Sequence, residues 1–290
     1  HANLVAWIGQ VPTPNTAGGW LFPEVVRRPS SIRVVPATIP SHQAAVLPLK
    51  VRFPSRFDGV ALVIGSAAPD IGYVLAGIAE PSSHAWHSLI WFHLPVVVAL
   101  TWVVRRAAPT VAAHLPGSLR DYGVLGTVRH PLAVTAYSVV LGALTHQLWD
   151  ALTHPYVLFL SPSSYLPAMH ATAFGALPWW RVVHLLSELV GMVVTVAFVV
   201  HVGRRRLLVA WHGPAPALAT RPFVFWPAAV LSSVALAVGS TQLPGNDIGI
   251  WVVGARWLGA VVLGLLLAAA VTRAAWTRDS ARAAPPGRGT

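Results

Sequence analysis

The sequence predicts an all-α fold, a polytopic transmembrane helix bundle with five or six spans, and two observations predict it. First, 55% of the residues are hydrophobic and only 10% are charged, whereas about a quarter are charged in a typical soluble domain. Second, the apolar residues gather in stretches of about membrane length, and the arginines lie in the short segments between them. These stretches exclude a soluble globular domain.

Six apolar stretches are candidates for spans, and four of them are strong. The stretch over residues 60–79 is weaker because Gly65, Pro69 and Asp70 interrupt it, and the stretch 88–104 is at the short end of the spanning range. The strong stretches cover residues 132–152, 182–202, 222–240 and 248–271. The first stretch therefore decides between five spans and six.

The arginines test this count, because loops on the cytoplasmic side of a membrane carry an excess of basic residues. Most arginines lie in the segments that follow the second, fourth and sixth stretches. These are Arg105, Arg106, Arg120, Arg129, Arg204, Arg205, Arg206, Arg221, Arg273, Arg278 and Arg282. The opposite loops, 80–87, 153–181 and 241–247, contain only Arg181, so they are predicted to face outside. Lys50 and Arg52 place the N-terminal side inside as well, if the first stretch crosses the membrane.

Three regions are predicted along the chain. Residues 1–34 lack a long apolar run and the pattern of a signal peptide, and they are expected to be a poorly ordered N-terminal extension. Residues 35–273 form the transmembrane helical domain, with a polar cluster within residues 42–188. Residues 274–290 are predicted to be a disordered basic tail.

Charge and cysteine content limit the partners and the cofactors. The net charge of +11 comes from arginine clusters between apolar runs, so the predicted partner is a lipid bilayer and not nucleic acid. The chain has no cysteine, which excludes disulfides and thiolate metal ligands. Any metal must therefore bind imidazole and carboxylate groups, and the chain has 13 histidines.

Several ionisable residues lie in or beside the apolar stretches, where each costs a few kcal/mol and needs a partner or a water-filled cavity. Those near the predicted outer side, or midway along the first stretch, are Asp70, His87, His146, Asp150, His154, His184 and Glu188. His84, three residues before His87, is expected to be a solvated loop residue.

The spacing of His146, Asp150 and His154 places all three on one face of a continuous helix. Eight residues of helix cover about 12 Å, so all three cannot bind one ion on a straight helix. Either the helix bends, one residue supports the ligands without binding, or there are two metals. As alternatives without a metal, His146 makes a polar contact between helices and Asp150 pairs with an arginine.

The position of His42 depends on the number of spans. With six spans, His42 lies on the cytoplasmic side, far from the other candidates. If residues 60–79 are re-entrant, the chain has five spans and His42 can join the cluster.

Four runs of residues resemble a known family: Ile39–Leu49, Ala61–Asp70, His87–Ser88 and Gly142–Pro155. Their order and spacing are similar to those of the bacterial membrane family catalogued as domain of unknown function 4184, over about residues 35–200. Members of that family begin close to where Val35 stands here, so the resemblance implies that residues 1–34 come from a misassigned upstream start. The chain also resembles, more distantly, inner-membrane proteins described as metal-dependent hydrolases. Trp86 departs from that pattern, because a threonine usually stands before the histidine there.

This resemblance implies a functional set that consists of His42, Asp70, His87, His146, Asp150 and His154. In a metal-dependent hydrolase these residues would be metal ligands, with Asp70 and His154 as the catalytic candidates. Zinc is the expected divalent ion, and manganese and iron suit the same ligands.

Three functions are compatible with these residues. The first is a membrane-embedded metal-dependent hydrolase with its site at the outer face of the bacterial plasma (inner) membrane, acting on a lipid or phosphoester. The second is an ion- or proton-linked transporter in which Asp70, His146, Asp150 and Glu188 relay ions. The third is a non-catalytic structural membrane protein.

Overall fold

The computed structural model of the chain describes residues 40–79, 81–153, 169–172 and 175–283. Eight α-helices are present in these residues: α1 (Gln43–Arg52), α2 (Gly59–Ile71), α3 (Leu94–Ala113), α4 (Leu132–Thr153), α5 (Trp179–Arg204), α6 (Leu207–His212), α7 (Pro222–Ser240) and α8 (Ile250–Ala283). The helical fold that the sequence predicts is confirmed. A short antiparallel hairpin, β1 (Met169–Thr172) and β2 (Gly175–Pro178), lies between α4 and α5.

Five helical segments are long and apolar enough to cross a membrane: Leu89–Ala113, Leu132–Thr153, Val182–Arg204, Pro222–Ser240 and Ile250–Asp279. Large apolar side chains are exposed along them; Leu189 and Val193 on α5 are each 61% exposed, for example. Water would oppose such a surface, whereas lipid tails stabilise it. The chain is therefore an integral membrane protein with a bundle of five candidate spans.

The weak first stretch does not form a sixth helix of this length. Helix α2 has 13 residues and continues into a tight 3₁₀ turn over Gly72–Leu75. At 1.5 Å per residue in α2 and about 2.0 Å per residue in the turn, this segment covers about 28 Å, which is just short of the hydrocarbon core of about 30 Å. Among the described residues it is therefore not one of the five candidate spans.

Helices α1 and α2 form a hairpin against α4. At the start of α2, Asp58 accepts a hydrogen bond from the hydroxyl of Thr135 near the start of α4, at 2.7 Å. Further along, the carbonyl oxygen of Ser66 lies 2.8 Å from Nδ1 of His146. Helices α2 and α4 therefore run in parallel, and α1 returns His42 to the end of α2 where Asp70 lies.

Two glycines allow α2 and α4 to pack at very short distance. A Cβ atom at Gly65 would lie 2.7 Å from the carbonyl oxygen of Val139, and one at Gly142 would lie 2.7 Å from the backbone nitrogen of Ser66. Only glycine avoids these clashes, so the two backbones approach closely. This approach brings the second half of α4, with His146, against Ser66.

A buried ion pair ties α2, α3 and α4 together at the other end of the bundle. Asp58 is fully buried, and its Oδ1 atom lies 2.7 Å from Nη2 of Arg105 on α3. The same carboxylate accepts a hydrogen bond from the backbone of Ala61 and so caps the first turn of α2. Lys50 closes this end by donating to the carbonyl oxygens of Pro54 and Phe57, at 2.5 and 2.8 Å.

The arginine-rich segments also meet at this basic end. Arg206 after α5 pairs with Asp121 in the segment before α4, at 3.0 Å. Arg221 at the start of α7 lies 2.6 Å from Asp279 near the end of α8. The segments predicted to share one side of the membrane therefore lie together.

Helix α8 continues to Ala283, into the region for which the sequence predicts a disordered tail from Ala274. In this last part of the helix, Arg273 donates to the carbonyl oxygen of Arg106, and Asp279 pairs with Arg221. Helix α8 also carries a buried arginine, Arg256. Its guanidinium is held by four oxygens, which belong to Val74, Ala76, Pro244 and Asn246.

Candidate metal centre

A cluster of imidazoles and carboxylates lies among the helices, towards the end opposite the basic end. Its centre consists of four residues, the central four, which are Asp70, His84, His146 and Asp150. Asp70 is on the last turn of α2, His146 and Asp150 are one turn apart on α4, and His84 is in the loop before α3. Asp70, His146 and Asp150 are buried.

The central four place nitrogen and oxygen atoms alternately in a closed ring. His146 Nε2 lies 3.7 Å from Asp70 Oδ1 and 3.2 Å from Asp150 Oδ2. His84 Nε2 lies 3.6 Å from each of the same two oxygens. Ligands of zinc lie about 2.0–2.2 Å from the ion, so two ligands of a tetrahedral ion are about 3.4 Å apart. The observed separations are close to this value.

The orientation of His146 is set by its other ring nitrogen. Nδ1 lies 2.8 Å from the carbonyl oxygen of Ser66, which can only accept, so Nδ1 carries a proton and donates it. Nε2 is therefore the nitrogen that faces the carboxylates, and it is buried 3.2 Å from Asp150 Oδ2. Metal-binding histidines usually donate their second nitrogen to a carbonyl or carboxylate in this way.

His42 lies on top of His146. The two rings stack with centroids 3.7 Å apart, and His42 Nε2 lies 3.9 Å from Asp150 Oδ1. Burial, with a smaller contribution from His146, lowers the pKa of His42 to about 4, so its ring is neutral at pH 7. A neutral imidazole can bind a metal ion without first losing a proton.

Glu188 of α5 lies beside His42 in the cluster. Its Oε1 atom accepts a hydrogen bond from the hydroxyl of Ser41 at 3.1 Å and lies 3.7 Å from His42 Nε2. Gly191, one turn later, allows the backbone of Ser41 to approach α5, since a Cβ atom there would lie 2.7 Å from its carbonyl oxygen. His184, one turn before Glu188, is also buried.

The structure brings together four of the predicted ligands: His42, Asp70, His146 and Asp150. It does not bring in His87, which is exposed, and His84 takes the place expected for it. His154 lies outside the described residues.

Backbone packing explains the exchange of His84 for His87. Ser83 lies directly over Gly72, where any Cβ atom would clash with its hydroxyl, and Ser88 donates to the carbonyl oxygen of Ser83 at 2.8 Å. Both serines are buried, so the loop between them is anchored at its two ends, with His84 directed towards the carboxylates. The spacing of the two histidines in the sequence holds no signal that distinguishes them.

These residues fit a divalent metal ion. Two overlapping sets, Asp70 with His84 and His146, and His42 with His146 and Asp150, each place three ligand atoms within 4.8 Å of one another. Nitrogen and carboxylate oxygen are ligands for zinc, manganese and iron. The side chain of His84 is 29% exposed, against 9% or less for its two carboxylate neighbours, so the cluster is accessible from its side.

Comparison with known proteins gives one result. A family model described as Domain of unknown function (DUF4184) matches residues 35–274, and the four residues His42, Asp70, His146 and Asp150 lie within the match. No curated protein and no solved structure matches the chain.

Proposed function

We propose that this chain, which belongs to the DUF4184 family, is a membrane-embedded metal-dependent hydrolase whose central four residues hold a divalent metal ion. The observation that supports this proposal is the ring of alternating nitrogen and oxygen atoms in the central four, whose neighbouring atoms lie 3.2–3.7 Å apart. These separations are close to those between the ligands of one tetrahedral ion, and the carbonyl oxygen of Ser66 holds His146 in the orientation usual for a metal-binding histidine.

The ion would polarise a bound water and lower its pKa towards about 7, which is the chemistry that hydrolysis requires. Asp70 is the proposed proton acceptor, because its Oδ1 faces the imidazoles while its buried Oδ2 has no hydrogen-bond partner in the described part of the chain. His154 remains a predicted ligand and catalytic residue. Zinc is the proposed ion, and manganese and iron suit the same ligands.

The proposed location is the outer face of a bacterial plasma membrane. This follows from the arginine-rich segments, which meet at the end away from His146 and Asp150 and which the positive-inside rule assigns to the cytoplasm. A lipid or another phosphoester is the proposed substrate class, because the exposed edge of His84 is beside the apolar helices.

Metal analysis of the detergent-purified protein tests the proposal. Wild type should contain at least one zinc, manganese or iron ion per chain, and His146→Ala and Asp150→Ala should lose it. His201→Ala is the matched control, since His201 is an exposed histidine on α5, and it should keep the metal. Wild-type protein that neither contains nor takes up any of these ions would overturn the proposal.

Hydrolysis itself needs a second experiment. A panel of phosphate esters and phospholipids should reveal cleavage by the metal-loaded protein that a chelator and His146→Ala both abolish. If the metal-bound protein cleaves no member of the panel, the proposed hydrolase activity is contradicted and the ion has a structural role.

Ion- or proton-linked transport is a second candidate, because Asp70 of the cluster lies on α2, a helix shorter than the five candidate spans. Broken or short helices often line the ion sites of transporters. Reconstituted wild-type protein should then carry protons or divalent ions across liposomes, and Asp70→Asn should stop the flux. If liposomes that contain the wild-type protein show no flux of protons or divalent ions, this candidate is excluded.

A further inference from the structure

We infer that the cluster holds two cations side by side, the second one bound by His42, Asp150 and Glu188, with the carboxylate of Asp150 bridging the pair. This inference rests on the proposed metal centre and extends it by a second site and by a ligand, Glu188, that lies on a different helix.

The two oxygens of Asp150 face different imidazoles. Oδ2 lies 3.2 Å from His146 Nε2 and 3.6 Å from His84 Nε2, within the ring of the central four. Oδ1 lies 3.9 Å from His42 Nε2. A carboxylate that offers one oxygen to each of two ligand sets has the arrangement of a bridge between two ions.

Stacking of His42 on His146 favours two ions over one. An imidazole binds a metal through a lone pair in the plane of its ring. The two rings are 3.7 Å apart with planes only 27° from parallel, so their in-plane lone pairs point to neighbouring positions and do not converge. Two ions in a shared site are typically about 3.5–4 Å apart, which matches this ring separation.

His146 cannot serve both ions, because its Nδ1 is bonded to the carbonyl oxygen of Ser66 and only Nε2 remains. The second ion therefore needs another ligand next to His42 and Asp150. Glu188 is that residue, since its Oε1 lies 3.7 Å from His42 Nε2. This separation is too long for a hydrogen bond and close to the distance of about 3.4 Å between two ligands of one ion.

Burial of Glu188 is the independent observation that points to a cation. Its side chain is only 5% exposed, and its Oε2 atom has no hydrogen-bond partner among the described residues. A carboxylate with an unpaired oxygen inside a membrane protein is costly unless a cation binds there.

Equilibrium dialysis of the full-length detergent-purified protein against Mn²⁺ tests the inference. Wild type should saturate at two ions per chain, and Glu188→Gln, which keeps the acceptor for Ser41, should saturate at one. Asp279→Asn is the control for loss of a carboxylate, because Asp279 pairs with Arg221 at the basic end, and it should keep both ions.

Electron paramagnetic resonance of the Mn²⁺-loaded wild-type protein needs no variant, so its result does not depend on whether Glu188→Gln folds. Two ions that share the Asp150 bridge should give an exchange-coupled spectrum in place of the six-line signal of isolated Mn²⁺. A single ion per chain with an uncoupled signal would overturn the second site and leave the proposed function intact. Binding of no ion would overturn both.

Discussion

His146 donates its Nδ1 proton to the carbonyl oxygen of Ser66 at 2.8 Å, and this one bond joins α4 to α2 within the candidate metal centre. It directs the other nitrogen of His146 at Asp70 and Asp150, which lie on those same two helices. The geometry of the candidate metal centre therefore depends on how closely α2 and α4 pack.

The two histidines of the loop before α3 should behave differently. His84→Ala should lower the affinity for zinc by at least tenfold, because it removes one of the central four, whereas His87→Ala should leave it unchanged because His87 is exposed. Competition titration with a zinc indicator measures both. Equal effects of the two substitutions would show that the loop is placed differently.

Gly142→Ala should separate α2 from α4 and weaken metal binding without removing a ligand. The added Cβ atom would lie 2.7 Å from the backbone nitrogen of Ser66, so the helices must shift. Because ligands must hold their positions within about 0.5 Å, we expect a loss of at least tenfold in affinity. Gly254→Ala on α8 meets no atom within 4 Å and serves as the control. Unchanged zinc affinity in Gly142→Ala would argue against this dependence.

Asp58→Asn should destabilise the fold by about 3–5 kcal/mol, because it leaves the Arg105 charge at a buried site without its partner. The control is Asp121→Asn, whose partner Arg206 is 66% exposed, so its effect on stability should be small. Thermal unfolding in detergent compares the two. Similar shifts in Tm would contradict the structural role assigned to the buried pair.

Because Lys50 is buried, we expect the free energy of unfolding to increase with pH above about 8. Burial, opposed by Asp58 and reinforced by Arg105, lowers the pKa of Lys50 from 10.5 to about 8. Between these values the unfolded chain holds the proton and the folded chain does not, so the free energy of unfolding increases with pH, by about 3 kcal/mol at most. Below pH 8 both states are protonated and the cost of burying the charge is present in full.

The matching measurement is Tm from pH 7 to pH 10 for wild type and Lys50→Met. In the variant, Tm should lose the increase with pH that is due to Lys50, whereas the other titrating groups should contribute equally in both proteins. Parallel curves would show that the ammonium group is not buried as described.

The helices could be predicted well because a bilayer imposes a simple requirement on composition. About 20 consecutive apolar residues are needed to cross it, and the strong stretches meet this length. The stretch 60–79 is different, because Pro69 and Asp70 midway along it gave no way to decide whether it crosses. In the structure α2 ends at Ile71 and its 3₁₀ turn ends at Leu75, so the segment is not among the five candidate spans. Its close packing against α4 through Gly65 and Gly142 is a contact that sequence periodicity does not report.

The candidate site could be predicted in part. His146 and Asp150 were predictable because they are four residues apart on one apolar helix, where charge needs a partner. His84 was not, since loop conformation depends on contacts such as those between Ser83, Gly72 and Ser88. The sequence predicts Glu188 to be an intramembrane acid, but its position beside His42 requires the approach of Ser41 to Gly191.

The sequence by itself determined that this chain is a membrane protein, how its basic segments alternate, and that its ionisable residues in apolar stretches need partners. Only the tertiary structure decided which of those residues meet: His42 with Glu188, and His84, in place of His87, with Asp70 and Asp150. The physical reason is that transfer into lipid is a property of each segment alone, whereas ligand atoms a few ångströms apart depend on how segments distant in the chain pack together.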